Sequence, residues 1–598
     1  MPSLHLYMRI FIVCLLAAFG PIGLAQTARI SGKVIADGKA VELASVFLAR
    51  TSLGASTDST GKYTIKHLPA GTYQVQVSFL GYLKAEKTIV LKDGENRIVD
   101  FELTPDRTTL DEVVITGVTR ATLAKENPIS IIGISYRAIE QAAESNIIDA
   151  LAKNAPGLST VKTGPNISKP FIRGLGYNRV LTLYDGIRQE GQQWGDEHGI
   201  EVDAYNIERA EVIKGPSSLM YGSDALAGVV SLFPYIPDEQ DGKIHGKFTS
   251  EYQTNNNLIG NGLQAGYSTE HFVAALRGSY RVARNYRNAA DGRVYNTGFD
   301  EKNISLLAGY THNKGYAHFN LTLYDNLQGI PDGSRDSLTR QFTRQIYEGV
   351  DDQITNRPIV SAHDLNSYTL SPLHQHIQHY RIYTHSYYTL GEGDIDFQFA
   401  FQQNFRREYN HPTMPEQAGL YLRLNTYNYG LRYNAPKFAN IEAAVGVNGM
   451  VQDNKSKDAT DFPIPDYDLF DAGMYVHLKW KYKDWTLGGG VRYDIRHVQW
   501  HDFYVGVNPA TGFGQHVTSD TENATLQFSN YSKRFTGISA SMGLTYELTP
   551  QLNLKANIAR GYRAPNITEI ASNGLDPGAH IIYLGNRNFV PEFSLQED

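Results

Sequence analysis

The chain has 598 residues, with aromatics at 11%, 38 Tyr, 54 Gly, charged residues at only 20% and a single cysteine, Cys14. Its net charge of −7, without any run of like charges, gives no footprint for nucleic acid, and none is expected as a partner. The mean hydropathy of −0.35, with no apolar run of about 20 residues, excludes a helical membrane protein but not a transmembrane β-barrel, whose alternating strands average to ordinary hydropathy.

Residues 1–25 read as a signal peptide. Arg9 and the free amine give a positive start, Ile10 to Phe19 an apolar core, and Gly23-Leu24-Ala25 before Gln26 a small-x-Ala cleavage signature. An anchor helix is the alternative, but the core is too short to span and Gly20-Pro21 interrupts it. Cleavage after export would remove Cys14, leaving a mature chain without disulfides.

Residues 26–105 contain short strand runs, such as Arg29–Ile35, Ala44–Leu48, Tyr63–Ile65 and Tyr73–Phe79. The runs are separated by turn residues such as Asp58-Ser59-Thr60-Gly61 and Pro69-Ala70-Gly71. About seven short strands in so short a stretch predict a small β-sandwich. The pattern Gly32-x-Val34, Ala44-x-Val46, Thr57-Asp58-x-x-Gly61-x-Tyr63, Leu68-Pro69-x-Gly71-x-Tyr73 and Gly81-Tyr82 resembles the carboxypeptidase-regulatory-like domain. That resemblance implies a non-catalytic spacer or docking module.

Residues 106–122 form a linker that carries Asp111, Glu112, Val113, Val114, Ile115 and Thr116, followed by Gly117. This β-branched run suits strand addition to the sheet edge of a partner. It resembles the TonB box that follows such accessory domains in outer-membrane receptors of Bacteroidetes type. The resemblance implies that residues 111–116 bind TonB of an energising inner-membrane complex. The alternative is that they are the last strand of the sandwich.

Residues 123–235 predict a mixed α/β domain. Ile139, Ala143, Ile147 and Leu151 make one stripe of a helix over 139–154, stopped by Pro156-Gly157. Phe171-Ile172-Arg173-Gly174-Leu175, Leu183-Tyr184-Asp185-Gly186-Ile187-Arg188 and Ile207 to Gly222 together resemble the plug domain of TonB-dependent receptors. The resemblance implies that Arg173, Glu211 and Lys214 lock the plug within a polar lumen, and buried charges need opposite charges on the wall. Ordinary surface salt bridges are the alternative for these three.

From 236 to 598 the chain alternates. Ile395, Phe397, Phe399 and Phe401 stand against Asp394, Asp396, Gln398 and Gln402, as expected for lipid outside and wet lumen inside. Segments 559–566 and 585–592 resemble barrel motifs of the same receptors, and Glu569 and Glu592 are the wall charges expected to face Arg173 and Lys214. The predicted fold is therefore mainly β: a transmembrane antiparallel barrel with an internal α/β plug and an N-terminal sandwich. Only 363 residues remain from Ile236 to Asp598, one stretch of which, Asp325 to Gln378, reads as a long loop. Roughly fourteen strands fit, against the 22 of plugged transporters. The expectation is a barrel lacking its C-terminal third.

For cargo, Trp194, Asp196, Glu197 and His198 follow the Asp-Gly-Ile-Arg strand and offer oxygen and imidazole ligands to a metal. His374, His376 and His379 form a second candidate group, in which His374 and His376 would face the same way on a strand. A polar loop that happens to be His-rich explains the second group equally well. A ferric siderophore would instead use Tyr177, Arg188 and Trp194.

The sequence lacks His-Glu-x-x-His, Gly-x-Ser-x-Gly and Gly-x-x-x-x-Gly-Lys patterns. No catalytic residue and no cofactor are expected; a metal or metal chelate is the cargo. The expected function is TonB-dependent import of a scarce metal or metal complex (ferric siderophore, haem or a zinc-type substrate) by a monomer in outer-membrane lipid. Cobalamin, glycan or peptide import, or an uncoupled porin or adhesin, are the alternatives.

Overall fold

The computed structural model describes residues 28–36, 38–42, 44–49, 51, 53–79, 85–104, 113–114, 122–191, 198–216, 218–331, 333–549, 552–576 and 581–598. The signal segment, Asp111, Glu112, Ile115, Thr116, Trp194, Asp196 and Glu197 lie outside the described residues. The chain divides into two compact units, 1–112 and 113–598.

The first unit consists of two sheets. In one, Ala28–Ala36 pairs with Lys62–Leu68 and with short strands Lys39–Ala40, Asn96–Ile98 and Phe101–Leu103. The other runs Gly54–Ser56, Ser45–Leu48, Gly71–Ser78, Ala85–Leu91. Strict alternation builds the core: Tyr63 and Ile65 point inward while Lys62, Thr64 and Lys66 are exposed. His67, at φ 61°, takes up one extra residue where the register with Ala28–Ala36 shifts, and this returns Leu68 to the inner face. Both sheets contribute to one core, Ile30, Val34, Val46, Leu48, Leu68 and Val75 among its members.

The second unit opens with Val113–Val114 paired antiparallel to Thr122–Leu123. The two described residues of the 111–116 segment are therefore paired within the second unit, not with the sandwich. The plug follows. Its sheet has the order Ser130–Ser135, Ile207–Lys214, Gly228–Pro234, Val180–Tyr184, Ile187–Arg188, beside a hairpin of Leu158–Gly164 and Ile167–Ile172. A Cβ on Gly228 (φ 154°) would lie 2.1 Å from the Ile213 carbonyl oxygen, so this close strand crossing requires glycine.

The single helix expected over 139–154 is two, Tyr136–Ala142 and Ile147–Asn154. Ala143 adopts the left-handed conformation (φ 49°) and ends the first, and the Asn146 side chain accepts from Ile148 N–H to start the second. The apolar stripe survives the break, because Ile139, Ile147 and Leu151 are all buried in the plug core.

Among the described residues the remaining chain forms one large antiparallel sheet of fourteen strands, besides small sheets in its connections. They are β1 (Ile244–Gln253), β2 (Leu258–Ser268), β3 (Phe272–Ala283), β4 (Phe299–His312), β5 (Gly315–Gly329), β6 (His374–Leu390) and β7 (Gly393–Tyr409), then β8 (Leu420–Asn434), β9 (Ile441–Ser456), β10 (Tyr467–Tyr482), β11 (Trp485–Trp500), β12 (Tyr531–Thr549), β13 (Leu552–Arg563) and β14 (Glu592–Glu597). Each pairs with the next in chain order, and β1 and β14 are the ends of the path.

The expected loop 325–378 is shorter, 330–373, because Asp325, Asn326 and Gln328 pair with Gln378, Ile377 and Gln375. Their polarity, which reads as loop, belongs to strand ends. On β7, Phe397 and Phe399 are exposed on the outer face, while Gln402 and Arg406 are buried on the inner one. At the tight-turn end, Trp485 stacks on Tyr546 (centroids 4.3 Å apart) and Trp480 on Tyr482 (5.9 Å), as in an interfacial aromatic girdle.

Connections at one end are tight turns (313–314, 391–392, 483–484), and at the other end they are long (330–373, 501–530, 564–591). In outer-membrane barrels the tight turns face the periplasm and the long loops the exterior.

Candidate plug–wall and ligand site

The plug lies against the inner face of the sheet, and strand parity decides which wall side chains meet it. On β3 and β4, Arg281 and Glu301 are direct cross-strand neighbours, both buried, with Nη2 and Oε2 2.7 Å apart. The plug completes this pair: Asn166 Nδ2 donates to Glu301 Oε2 (2.7 Å), and Arg281 Nη1 donates to the Ser145 carbonyl (2.5 Å). A buried ion pair is tolerable only when its remaining hydrogen-bonding capacity is met, which here takes both bodies.

A second cluster contains two of the sequence candidates. His198 Nε2 lies 3.0 Å from Glu408 Oε1 of β7, which also accepts from Gln375 Nε2 of β6 at 3.2 Å. Three residues on, Glu201 Oε1 accepts from Arg406 Nη2 (2.8 Å), and its Oε2 lies 3.2 Å from His379 Nδ1 and accepts from Asn404. Gln189 of the plug accepts from Arg381 of β6. Burial alone would raise the Glu201 pKa, but His379 and Arg406 hold it below the ordinary carboxylate value.

His198, Glu201, His379 and Arg406 are all buried, and both histidines are engaged by carboxylates on the facing body. Among the described residues no group of three or more His, Cys, Asp or Glu side chains is arranged to hold a metal ion. The expected trio His374, His376 and His379 separates, because His374 and His376 share the outward face of β6 and His379 points inward. His374 stacks on Tyr409 (4.8 Å), and His376 Nε2 contacts Asp325 Oδ1 (3.1 Å).

A third cluster centres on Asp224. It accepts from Arg188 Nη2 of the plug (2.6 Å) and from Arg496 Nη2 of β11 (2.9 Å), while Arg496 also pairs with Asp471 of β10. Burial would raise Asp224, but the two guanidiniums hold its carboxyl well below the usual carboxylate range.

The charges expected to fasten plug to wall pair differently from the expectation. Glu592 of β14 accepts from Arg179 Nε (3.0 Å), not from Arg173 or Lys214, and also from Arg563 of β13 (3.0 Å). Arg173 reaches Asp598 at 2.6 Å. The Ile172–Leu175 bridge closes a tight turn after which Arg179, at the start of Val180–Tyr184, comes against β14. Glu569 pairs with Arg563 within the wall (2.8 Å), and Glu211 with Arg209 within the plug (2.8 Å). Lys214 makes no ion pair among the described residues; burial and the neighbouring Arg173 guanidinium pull its pKa down.

At the tight-turn end, Glu126 pairs with Lys481 (2.5 Å) and Lys479 (3.4 Å) of β10, and Lys555 of β13 donates to the Ala124 carbonyl (2.7 Å). The residues that sequence reasoning did not single out for the interface, Arg179, Asp224, Arg281, Glu301, Arg406 and Arg496 among them, include four at inward positions of the alternating wall strands. Parity carries their signal; the identity of the plug partner does not follow from it.

Comparison with known proteins agrees with this architecture. Family models match the CarboxypepD_reg-like domain at 30–115, the TonB-dependent receptor plug domain at 124–229 and the TonB dependent receptor-like β-barrel at 236–596. An iron-regulated outer membrane virulence protein of Vibrio cholerae is 39% identical over 143 residues, 23% of this chain and 22% of that protein. A vitamin B12 transporter of Vibrio vulnificus is 34% identical over 138 residues, and a hemin receptor of Yersinia enterocolitica 34% over 122, covering 22% and 18% of their lengths. The aligned stretch thus spans about a fifth of each curated relative.

Among solved structures, the ferric yersiniabactin uptake receptor FyuA from Yersinia pestis superposes with TM-score 0.55 at 17% identity, covering 79% of this chain and 69% of that one. The copper transporter OprC gives 0.58 at 15% identity, covering 78% and 68%. These likenesses are of fold. With the barrel model matching more than half of this chain, and the plug model matching the domain packed against that wall, the chain belongs to the TonB-dependent receptors.

Proposed function

We propose that this protein imports a scarce metal or metal complex across the outer membrane, driven by TonB of an energising inner-membrane complex. The observation that carries the reading is the plug itself. Buried charged and polar contacts, Arg281–Glu301 with Asn166 and Asp224 with Arg496, hold it to the wall beside apolar contacts such as Leu219 and Met220 against Tyr475. Water entering the lumen can take over these polar contacts as a pulled plug rearranges.

In this reading Asp111 to Thr116 pair as an added strand with TonB. Pairing of Val113–Val114 with Thr122–Leu123 accords with it, since a segment that already forms strand here can exchange one edge for another. Relatives named for iron regulation, hemin and ferric yersiniabactin favour a metal-bearing cargo. The vitamin B12 transporter, matched at comparable identity, supports cobalamin as the second reading. Cargo would meet Trp194, Asp196 and Glu197 from the exterior. The protein would carry no cofactor of its own and catalyse no reaction.

Deleting residues 111–116 should abolish uptake while leaving cargo binding intact; undiminished uptake would overturn the mechanism. Growth of a deletion strain under separate iron, zinc and haem limitation identifies the cargo, and a defect under none of these transfers the assignment to cobalamin, a glycan or a peptide.

A further inference from the structure

On the tight-turn side of the plug sheet lies a half-open cavity of 580 Å³, between plug residues Leu183, Asp185, Gly186, Ile187 and Arg188 and the inner faces of β5 to β11. Its position follows from the wall residues that line it. Tyr316, Tyr387, Asp396 and Arg432 all stand near the tight-turn ends of their strands. The space exists partly because Gly430, on the inner face of β8, carries no side chain. A Cβ there would meet only Asn448 Cβ at 3.7 Å and Gln398 Cβ at 3.9 Å, ordinary van der Waals distances.

Two residues that line this space, Arg492 and Asn428, each carry a buried donor with no partner among the described residues. Arg492 of β11 is 2% exposed; its Nε donates to Asp494 Oδ1 (2.7 Å) and its Nη2 to Asn448 Oδ1 (2.8 Å), which pins the guanidinium and leaves Nη1 unused. Asn428 of β8 is 6% exposed, and its Nδ2 is likewise unused. A buried donor left unmatched is costly, so an occupant offering acceptor oxygens would recover that cost at both. Of the acidic lining residues, Asp396 is held by His385 (3.2 Å) and Arg432 (3.3 Å) and Asp471 by Arg496, which leaves Asp185 on the plug side.

We propose that this cavity is a binding site, on the tight-turn side of the plug, for a small ligand that presents carboxylate or phosphate oxygens to Arg492 and Asn428. Guanidinium and amide N–H groups are the donors such oxygens select. Any use of the site as a station during import rests on the importer reading above; its occupancy does not, since binding requires neither TonB nor an energised membrane.

The test is calorimetry on the purified whole chain in detergent, with citrate as a polycarboxylate probe and inorganic phosphate as the second arm. Citrate, phosphate or both should bind saturably, and the probe that does so names the oxygen source. Affinity should fall at least tenfold in Gly430→Phe, which projects a ring into the cavity between Gln398 and Asn448, and in the double variant Arg492→Gln/Asp494→Asn, which removes the guanidinium without stranding its carboxylate. Gly430→Phe keeps the buried charges and so guards against a folding artefact, checked by unchanged thermal unfolding. Absence of saturable binding for both probes, or isotherms unchanged in both variants, would overturn the proposal. Uptake that survives deletion of 111–116 would overturn the importer reading and leave this result untouched.

Discussion

Asp203 shows how a single plug carboxyl can report on docking. It accepts from the Tyr205 backbone N–H at 2.9 Å, and burial together with the nearby Glu301 carboxylate pushes its pKa up to about 6. A carboxyl whose folded pKa lies above its unfolded value of about 3.9 favours folding fully below that value, and the contribution is lost as pH rises through about 6. The shift corresponds to on the order of 3 kcal/mol. Asp203→Asn, which keeps the acceptor and cannot ionise, should therefore gain thermal stability over the wild type at pH 8 and little at pH 4. Parallel melting profiles across that range would refute the assignment. Asp224 is the opposite case, a carboxyl held low by Arg188 and Arg496, whose contribution disappears only on acidification. The sequence shows the inward parity of Arg492, Asp494 and Arg496 on one strand. It does not show that Asp224, 272 residues earlier, is what Arg496 meets, because that contact is created by insertion of the plug.

The wall strands were the most legible elements, since lipid and lumen impose a period of two on every one of them. Phe397 and Phe399 stand at 40% and 42% exposure, flanking Gln398, whose side chain reaches the Asp185 carbonyl of the plug. Phe399→Lys places a cation on the lipid face and should lower folding stability in lipid vesicles by about 2–4 kcal/mol near the midplane, whereas Gln398→Ala should cost far less. Urea titration of both variants in vesicles measures this directly, and equal losses would contradict the assigned faces. Elements failed to read correctly where a local cap overrode periodicity. The stripe Ile139, Ala143, Ile147, Leu151 predicts one helix, yet left-handed Ala143 and the Asn146 cap divide it without disturbing the stripe. The histidines illustrate the same limit from the other side. Spacing put His374 and His376 on one face, as found, but not which face, and that face is outward.

For the whole molecule, chain length and strand period together predict a wall of about the size found, while the tie between the chain that follows residues 111–116 and that wall is visible only in the folded arrangement. Val113–Val114 and Thr122–Leu123 form a small ladder, and immediately beyond it Glu126 is held by Lys481 and Lys479, with Lys555 gripping the Ala124 carbonyl. Any force applied to residues 111–116 along the chain reaches this cluster before it reaches the plug sheet. Lys481 is 47% exposed, so the pairing is open to screening by salt and contributes as a restraint on position more than as stability. Glu126→Gln removes the charge and keeps the shape. In a Cys14→Ser background carrying Thr122→Cys, that change should raise the rate of maleimide labelling severalfold in the purified protein. Raising the salt concentration should accelerate labelling when Glu126 is present and have little effect in its absence. A labelling rate indifferent to both the substitution and the salt would mean that the cluster does not restrain the segment, and that force passes to the plug through the ladder alone.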